Sequence, residues 1–480
     1  SQVDLPGYTS EPGQDLEDEA LVRALCAEAP RQVERAQAMG IPLEAGRYFG
    51  AGRYFLAKGG DRVGGGNALT RALVAVTSRT EGIRAVEGCS LLGLLQEDGR
   101  VGGASGLTAQ GGWLSIYARS TVLATGGGAG IYQVASTPRS LLGDGYVMAL
   151  KAGLKLANLE IVEFFPVGIF LSPARYMHSG VHALLAREAR LINAQGEDIV
   201  RKHLGIALHE GMAVVTVRFQ WLSRAVGLEM ETGPVFLDLT RLTAEDWEGV
   251  PLWNLRKFGT CPMDLRATPV PILPMAQTFH GGVLINPDTE TSLEGLFAAG
   301  EVTAGAYAGE RGANTLGIAI TLGGMAGRNA ADAARGLPAP KEGAARDGAL
   351  EEVEGIAGKE GKIRPGAIRD EGKRLLYQYA GPVRTGAGLQ AGLGKLRALA
   401  GTRGQMRCHS LRDLREALEV EALLLLGQAV MQAALLRTES RGSHYRADFP
   451  GRDDRRCGGP IFVSYDPDRG ETKLETPKPV

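Results

Sequence analysis

Four glycine-rich stretches, arranged along the chain in the order strand, turn, helix, most constrain what this 480-residue sequence can fold into. They are LATGGGAG, LLGDGYVMA, LFAAGEV and GANTLGIAITLGG. Glycine lets backbone N–H groups approach a ligand closely, and a helix N-terminus favours negative charge such as that of pyrophosphate. A single turn of this kind often has only a steric role. All four together predict an α/β fold built around a nucleotide or flavin site.

Charge and composition exclude several classes of function. The chain has 53 basic and 54 acidic residues, so its formal net charge is −1, and hydrophobic residues make up 44%. This balance gives no electrostatic reason to expect nucleic acid or an anionic membrane as a partner. The length allows two or three packed units and a sizeable core.

The cysteines and the longest apolar run limit which cofactors and which cellular location the sequence allows. The five cysteines are scattered without a C-x-x-C pair, so we expect no metal, no iron–sulfur cluster and no disulfide framework, in a reducing compartment. The longest mostly apolar run, 422–436, has 15 residues, fewer than the roughly 20 needed to cross a bilayer. The first twenty residues are polar and do not resemble a signal peptide. These features predict a cytoplasmic protein without direct membrane insertion.

Five collinear segments resemble the flavoprotein subunits of succinate dehydrogenase and fumarate reductase, a family that includes L-aspartate oxidase. They are STVLATGGGAGIYQ, LLGDGYVMALKAGLKLANLEIVEFFPVG, FHGGVLINPDTETSLEGLFAAGEV, GERGANTLGIAITLGG and RTESRGSHYRADFPGRDD. The resemblance covers nearly the whole chain. It implies an α/β FAD-binding Rossmann-like domain, an inserted α+β capping domain and a C-terminal helical domain.

The domain boundaries follow from this resemblance and from changes in composition. We expect the FAD-binding domain in two parts, 1–160 and 277–335, with the capping domain between them at 161–276. The segment 336–366 is rich in Gly, Pro and charge and is expected to be a linker or surface loop. The remainder, 367–480, is expected to be the helical domain, in which Ser410 precedes a long apolar stripe as a helix cap.

The resemblance also implies which residues hold FAD. Two turns, one single acid and the backbone of a further pair of residues match the places where relatives bind the cofactor: Ala124, Thr125, Gly126, Asp144, Ala299, Gly300, Glu301, Ile320 and Thr321. Glu301 is expected to accept hydrogen bonds from the sugar hydroxyls. A simpler interpretation stays open, in which Asp144 and Glu301 only cap the helices that follow them.

The start of the sequence differs from the family pattern. Relatives open with a βαβ unit whose G-x-G-x-x-G turn cradles the FAD pyrophosphate. This sequence begins in what resembles the segment after that unit, and no strand in it precedes a G-x-G-x-x-G turn. We therefore expect a divergent member without this unit: a fragment, the product of a gene that lost it, or a polypeptide completed by another chain.

Four positions expected in the substrate pocket lack the family residues. Relatives that act on fumarate or succinate hold the two carboxylates with His and Arg and donate a proton from a further Arg, because a dianion leaving water needs charge-assisted hydrogen bonds. The corresponding residues are Phe165, Gln277 and Thr315, with Ala213 at the proton-donating position of an ungapped alignment. The usual dicarboxylate chemistry is therefore not expected.

Two other polar residues are candidates for a different catalytic site. His280 directly precedes the Gly281-Gly282 turn, and Arg311 stands where relatives have the His of H-G-A-N-R. The competing interpretations are a structural histidine and an arginine paired with a surface acid.

A further polar cluster follows the long helix near the C-terminus. It contains Arg441, His444 and Arg446, with Asp453 and Asp454 nearby. We favour an internal ion-pair network over a catalytic site for these residues.

The sequence thus predicts an FAD-dependent oxidoreductase that transfers hydride between flavin and an unidentified small-molecule substrate. The cap would exclude water, and electrons would pass to an iron–sulfur subunit because the chain has no clustered cysteines of its own. Through such partners the protein would be peripheral to the inner membrane. Two alternatives remain: a truncated or degenerate non-catalytic subunit of a redox complex, and a conventional fumarate reductase or succinate dehydrogenase flavoprotein.

Overall fold

The computed structural model describes residues 16–41, 43–47, 53–57, 65–172, 175–178, 188–205, 219–248, 261, 263–306, 315–341, 343 and 347–476. Within them the chain forms a main α/β domain, a cap inserted into it and a C-terminal helical domain. The cap is the unit carried by strands β8 to β12, and the helical domain is the unit carried by helices α9 to α12; their bounds follow.

In the described residues, the first part of the main domain contains three helices and seven short strands. The helices are α1 (Glu19–Ala38), α2 (Gly65–Thr77) and α3 (Asp144–Lys151). The strands are β1 (Leu43–Arg47), β2 (Arg53–Ala57), β3 (Ser90–Glu97), β4 (Arg100–Leu107), β5 (Trp113–Tyr117), β6 (Thr121–Leu123) and β7 (Leu156–Ala157). β1 pairs with β2, and β3, β4 and β5 form a separate antiparallel sheet.

The cap is an antiparallel sheet with short helices. Its elements are β8 (Val162–Ser172), β9 (Arg175–His178), β10 (Arg190–Ile192), α4 (Ile199–Leu204), α5 (Phe219–Met230), β11 (Val235–Asp238), α6 (Ala244–Glu248) and β12 (Val270–Phe279). The strand order in the described part is β10-β11-β12-β8-β9, so the first and last cap strands along the chain lie side by side.

The chain then returns to the main domain and ends in the helical domain. The main-domain elements are β13 (Gly282–Val283), β14 (Leu296–Ala298), α7 (Thr315–Gly336) and α8 (Gly348–Ile356). Next come α9 (Pro365–Ala380), α10 (Gly386–Ala400), α11 (Leu411–Leu436), α12 (Asp454–Cys457), β15 (Phe462–Asp466) and β16 (Glu471–Glu475). β15 pairs with β7, in a sheet ordered β13-β7-β15-β16.

Strands β6 and β14 are parallel neighbours and set the position of the candidate site. Leu296 lies opposite Thr121 and Ala298 lies opposite Leu123. Both strands end in a predicted glycine turn. Because the carboxyl ends of parallel strands lie at one edge of a sheet, these two turns are brought together there.

Strands β8 and β12 connect the main domain to the cap. Phe164, Ala276 and Phe279 belong to the apolar core of the main domain, whereas Phe165 and Met275 belong to the core of the cap. Successive side chains of a strand point to opposite faces, which allows one strand pair to serve both cores. The base of these two strands is therefore the boundary between the two domains.

Helix α11 begins and packs as the sequence predicts. Ser410 caps it by accepting a hydrogen bond from the Asp413 N–H at 3.1 Å. Among the described residues this helix alone has the length and composition to cross a membrane, and 61% of its apolar stretch is buried inside the protein. Packing against α9 and α10 accounts for that apolar surface.

The structure differs from the sequence expectation in the segment predicted to be a linker. Residues 348–356 of it form helix α8, whose Val353 and Ile356 are buried. Asp347 caps this helix through the Leu350 N–H and also accepts hydrogen bonds from the Ser105 hydroxyl at 2.8 Å and the Trp113 indole at 3.0 Å. These two partners lie more than 230 residues away in the sequence, so local composition did not reveal the helix.

The C-terminal polar cluster is an internal ion-pair network, as predicted. Arg441 donates to Glu439 and to Asp454, both at 2.6 Å. Arg437 donates to the same Glu439 at 2.9 Å and to Glu160 of the main domain at 2.7 Å. The network therefore joins the helical domain to the residues just before β8.

His444 lies inside this network as a buried hydrogen-bond acceptor. Its Nδ1 is 2.8 Å from Nη1 of Arg384, and Arg384 is itself buried. Burial, together with repulsion from Arg384, Arg437 and Arg446, lowers the pKa of His444 well below its ordinary value. A neutral imidazole that accepts from an arginine has a structural role, which agrees with the predicted interpretation.

Candidate active site

The two glycine turns after β6 and β14 lie against each other. Gly126 has φ of +75° and Gly300 has φ of +79°, a left-handed backbone that favours glycine. A β-carbon at Gly127 would overlap with the Glu301 carboxylate, so that carboxylate lies directly on the turn after β6. Two stretches that are some 170 residues apart in the sequence thus form one surface.

The N-terminus of α3 completes this surface. A β-carbon at Gly145 would overlap with the Thr125 hydroxyl, so the turn after β6 packs on the first turn of α3. The Tyr146 hydroxyl donates to the backbone carbonyl of Glu301 at 2.8 Å. The predicted turns at 124–126 and 299–301 and the predicted Asp144 therefore lie together.

The capping interpretation of the two acids does not agree with the structure. Asp144 is the first residue of α3, its N-cap is Gly143, and no side chain caps this helix. Glu301 lies in a short 3₁₀ turn without a side-chain cap, and its Oε1 accepts the Phe279 N–H at 3.0 Å. Burial raises the pKa of both carboxyls above their ordinary values.

Helix α7 lies beside the turn after β14. A β-carbon at Gly300 would be 4.0 Å from that of Ala319, next to the predicted Ile320 and Thr321. Ile320 packs on the α1–α2 side of the helix, and the Thr321 hydroxyl donates to the Gly317 carbonyl at 2.8 Å. The side chains of these two residues thus serve packing and the helix.

These residues fit a flavin dinucleotide. Glycine backbones at the carboxyl ends of two parallel strands permit close approach of a bulky ligand, and the carboxylate of half-buried Glu301 is an acceptor suited to sugar hydroxyls. Ala124 and Thr125 are exposed, so the same surface is open on one side.

The predicted substrate positions are only partly described. Phe165 is 2% exposed in the core of the cap, paired across the sheet with Met275. Gln277 is half-buried at an irregularity of β12, and Thr315 begins α7. Ala213 and Arg311 lie outside the described residues.

His280 is buried at the base of the cap, where it contacts an acid that the sequence analysis missed. Its Nε2 is 3.0 Å from Oε2 of Glu163, and the residues are 4% and 6% exposed. Glu163 lies on β8, 117 residues away. An acid within the apolar run IVEFFPVGIF was the available signal, since buried acids are rare unless they are paired.

Comparison with known proteins extends these observations. A family profile described as "FAD binding domain" matches residues 1–317, and one described as "Fumarate reductase flavoprotein C-term" matches residues 369–480. The chain belongs to the fumarate reductase and succinate dehydrogenase flavoprotein family. This flavoprotein is therefore an FAD-dependent oxidoreductase with FAD as its cofactor.

Individual relatives resemble the flavoprotein over most of its length. A subunit of the fumarate reductase (CoM/CoB) of Methanothermobacter marburgensis is 32% identical over 91% of this chain and 81% of the relative. An L-aspartate oxidase of Streptomyces coelicolor is 29% identical over 95% and 81%. The solved Sdh1 of Mycobacterium smegmatis in complex with UQ1 has a TM-score of 0.82 and 25% identity, covering 98% of this chain and 83% of that one.

Proposed function

We propose that the flavoprotein transfers hydride between FAD and a small-molecule substrate that is neither fumarate nor succinate. The observation that carries the proposal is the position of Phe165, where relatives have a carboxylate-binding histidine. This side chain is buried in the cap core and offers no hydrogen bond to a carboxylate. Neutral Gln277 on the neighbouring strand adds no positive charge, although a dicarboxylate needs charge-assisted donors.

FAD would be held by the residues that converge at the ends of β6 and β14. The turns at 124–126 and 299–301, Asp144 and the backbone at 320–321 would surround it, with Glu301 accepting from the sugar hydroxyls. Bound FAD supplies the redox chemistry by exchanging a hydride with the substrate. The residues at the ends of β6 and β14 would bind and orient FAD. The cap would exclude water from the reacting groups.

His280 is the proposed acid–base residue among those described. Its imidazole is held by Glu163, and a carboxylate-paired imidazole can take or give a proton during hydride transfer. Arg311 is proposed to bind the substrate, because it occupies the position of a histidine in the family motif H-G-A-N-R.

The electrons would pass to a partner subunit that carries iron–sulfur clusters. The relative from Methanothermobacter marburgensis is itself one subunit of its enzyme, which supports a multi-subunit assembly. We propose a cytoplasmic location for the flavoprotein, peripheral to the inner membrane through such a partner.

An electron-donor assay tests the proposed function. The purified protein with FAD is mixed with reduced benzyl viologen and, in turn, with fumarate, 2-oxo acids, neutral enones and imines, while viologen oxidation is followed. We expect no saturable oxidation with fumarate and saturable oxidation with a singly charged or neutral acceptor. Fumarate-dependent turnover would support the conventional enzyme instead. Stable FAD binding without turnover, in this panel and with oxidisable substrates and artificial electron acceptors, would support the non-catalytic subunit.

A further inference from the structure

We propose that the buried Glu163–His280 pair positions the Glu301 carboxylate for FAD and thereby sets the affinity for the cofactor. The inference rests on the proposed role of Glu301 as an FAD ligand and goes beyond it, because it adds two positioning residues that need not contact FAD.

The pair lies at the point where the cap strands meet the main domain. In the β8–β12 ladder, Val162 lies opposite Phe279 and Glu163 lies opposite Thr278. The backbone N–H of His280 donates to the Ile161 carbonyl at 3.0 Å, and its ring contacts Glu163 at 3.0 Å. His280 is therefore fixed to β8 by both its backbone and its side chain.

The residue that precedes His280 donates a hydrogen bond to the Glu301 carboxylate. The N–H of Phe279 donates to Oε1 of Glu301 at 3.0 Å. Phe279 lies opposite Val162 in the ladder and the next residue is held on Glu163, so contacts with β8 restrict the position of the Phe279 N–H. A short chain of contacts thus runs from Glu163 to His280, and from the adjacent Phe279 to Glu301.

The two members of the pair act in opposite directions on the charge of Glu301. Burial raises the pKa of Glu301, while the Phe279 N–H and His280 oppose that rise and Glu163 adds to it. An ionised Glu301 accepts hydrogen bonds from sugar hydroxyls more strongly than a protonated one. His280 therefore favours the ionised form of Glu301 and Glu163 disfavours it, so the positioning by the pair rests on its geometry.

The chain contains a matched pair for comparison. His409 Nε2 is also 3.0 Å from a glutamate, Oε2 of Glu360, but the two side chains are 48% and 86% exposed. A pair with the same chemistry and distance, but exposed to water, controls for the general effect of removing a His–Glu contact.

FAD titration of the apoprotein, followed by quenching of flavin fluorescence, tests the inference. Glu163→Gln and His280→Gln are each expected to raise the Kd for FAD by about 5- to 10-fold, the effect of about one lost hydrogen bond. His409→Gln and Glu360→Gln are expected to change it less than about twofold. Unchanged Kd values for both Glu163→Gln and His280→Gln would overturn the inference.

A double-mutant cycle separates positioning from general structural damage. In the Glu301→Gln background, Glu163→Gln should change the Kd by less than about twofold, because the carboxylate it positions is gone. An equal loss in both backgrounds would overturn the inference. If Glu301→Gln itself binds FAD like the wild type, the proposed ligand is wrong, which is a distinct outcome. Should Glu163→Gln fail to fold, His280→Gln supplies the same cycle with Glu301.

Discussion

Gly127 is the residue at which the two halves of the cofactor surface meet. Its φ lies outside the left-handed region, so alanine fits the backbone, yet the added methyl group would overlap with the end of the flexible Glu301 side chain. We expect Gly127→Ala to leave the apoprotein folded and to weaken FAD binding about tenfold or more, since the carboxylate must move. Thermal melting and FAD titration measure the two effects.

Gly323 offers the matched control for that substitution. It lies inside helix α7, and a β-carbon added there would have no atom within 4 Å, so Gly323→Ala should raise the stability slightly and leave the Kd for FAD unchanged. Equal losses of FAD affinity in both variants would contradict the contact between Gly127 and Glu301 as the cause.

Phe165 gives a prediction about restoring the family residue. Phe165→His places a polar ring in the apolar core of the cap, and we expect a loss of about 2–4 kcal/mol in the free energy of unfolding without any gain of fumarate reduction. Phe165→Leu should cost less, roughly 1–2 kcal/mol. Urea unfolding and the viologen assay measure both. Fumarate reduction by Phe165→His would show that this position alone decides the substrate.

Single residues also show how far the sequence could predict the site. The turns containing Gly126 and Gly300 were predictable because left-handed backbone and close approach require glycine. The partner of His280 was not, because Glu163 reaches it only through the tertiary pairing of β8 with β12. Local patterns carry no information on such a pairing unless a buried acid is noticed.

The loop between α11 and α12 contains His444, the residue with the clearest effect on how the stability of the protein depends on pH. The pKa of His444 is lowered in the folded protein, whereas in the unfolded chain it takes up a proton near pH 6.5. Below that pH the unfolded state binds more protons, so this group lowers stability by up to about 1.4 kcal/mol per pH unit as pH falls. Its contribution is constant above about pH 7.

His444→Gln isolates this effect, because an amide oxygen can still accept from Arg384. We expect urea unfolding between pH 7.5 and 5 to show a smaller loss of stability in this variant than in the wild type. Asp144 and Glu301 have raised pKa values and act in the opposite direction, but equally in both proteins. The exposed His409→Gln should follow the wild type, and a similar flattening there would contradict the prediction.

Elements with their own local signals were predicted correctly, and those held by distant contacts were not. Helix α11 has Ser410 as a cap and a continuous apolar stripe, and both are visible in the sequence. Helix α8 has a weak apolar stripe and depends on the partners of Asp347 in the β3–β5 sheet. Its segment therefore has the composition of a loop although it folds as a helix.

At the scale of the whole molecule, the cap makes direct contacts with the helical domain. The Arg224 guanidinium of α5 donates to the Gly442 carbonyl and lies 5.2 Å from the centre of the Tyr445 ring. The Tyr377 hydroxyl of α9 donates to the Pro274 carbonyl of β12 at 2.8 Å. The cap is thus attached to the helical domain as well as to the main domain.

Removing the Arg224 contact should loosen the cap without unfolding the protein. We expect Arg224→Met to increase amide hydrogen exchange in α5 and β12, while the helices α9 to α11 exchange as before. Arg374→Met is the control, because Arg374 is exposed and contacts Glu371 and Gln378 on its own helix. Unchanged exchange in α5 would show that this contact does not hold the cap.

The pairing of β15 with β7 has a consequence for how the flavoprotein is made. Asn158, just after β7, bonds to Ile461, 303 residues later, next to the register of Phe462 opposite Ala157. At roughly 5–20 residues per second, a ribosome needs on the order of 15–60 s to cover that stretch. The cap strands, from Val162 to Phe279, are synthesised within this interval, and β7 lacks its neighbour β15 until the interval ends. Premature termination before Ile461 would therefore leave an exposed strand edge in the main domain, which is a template for aggregation.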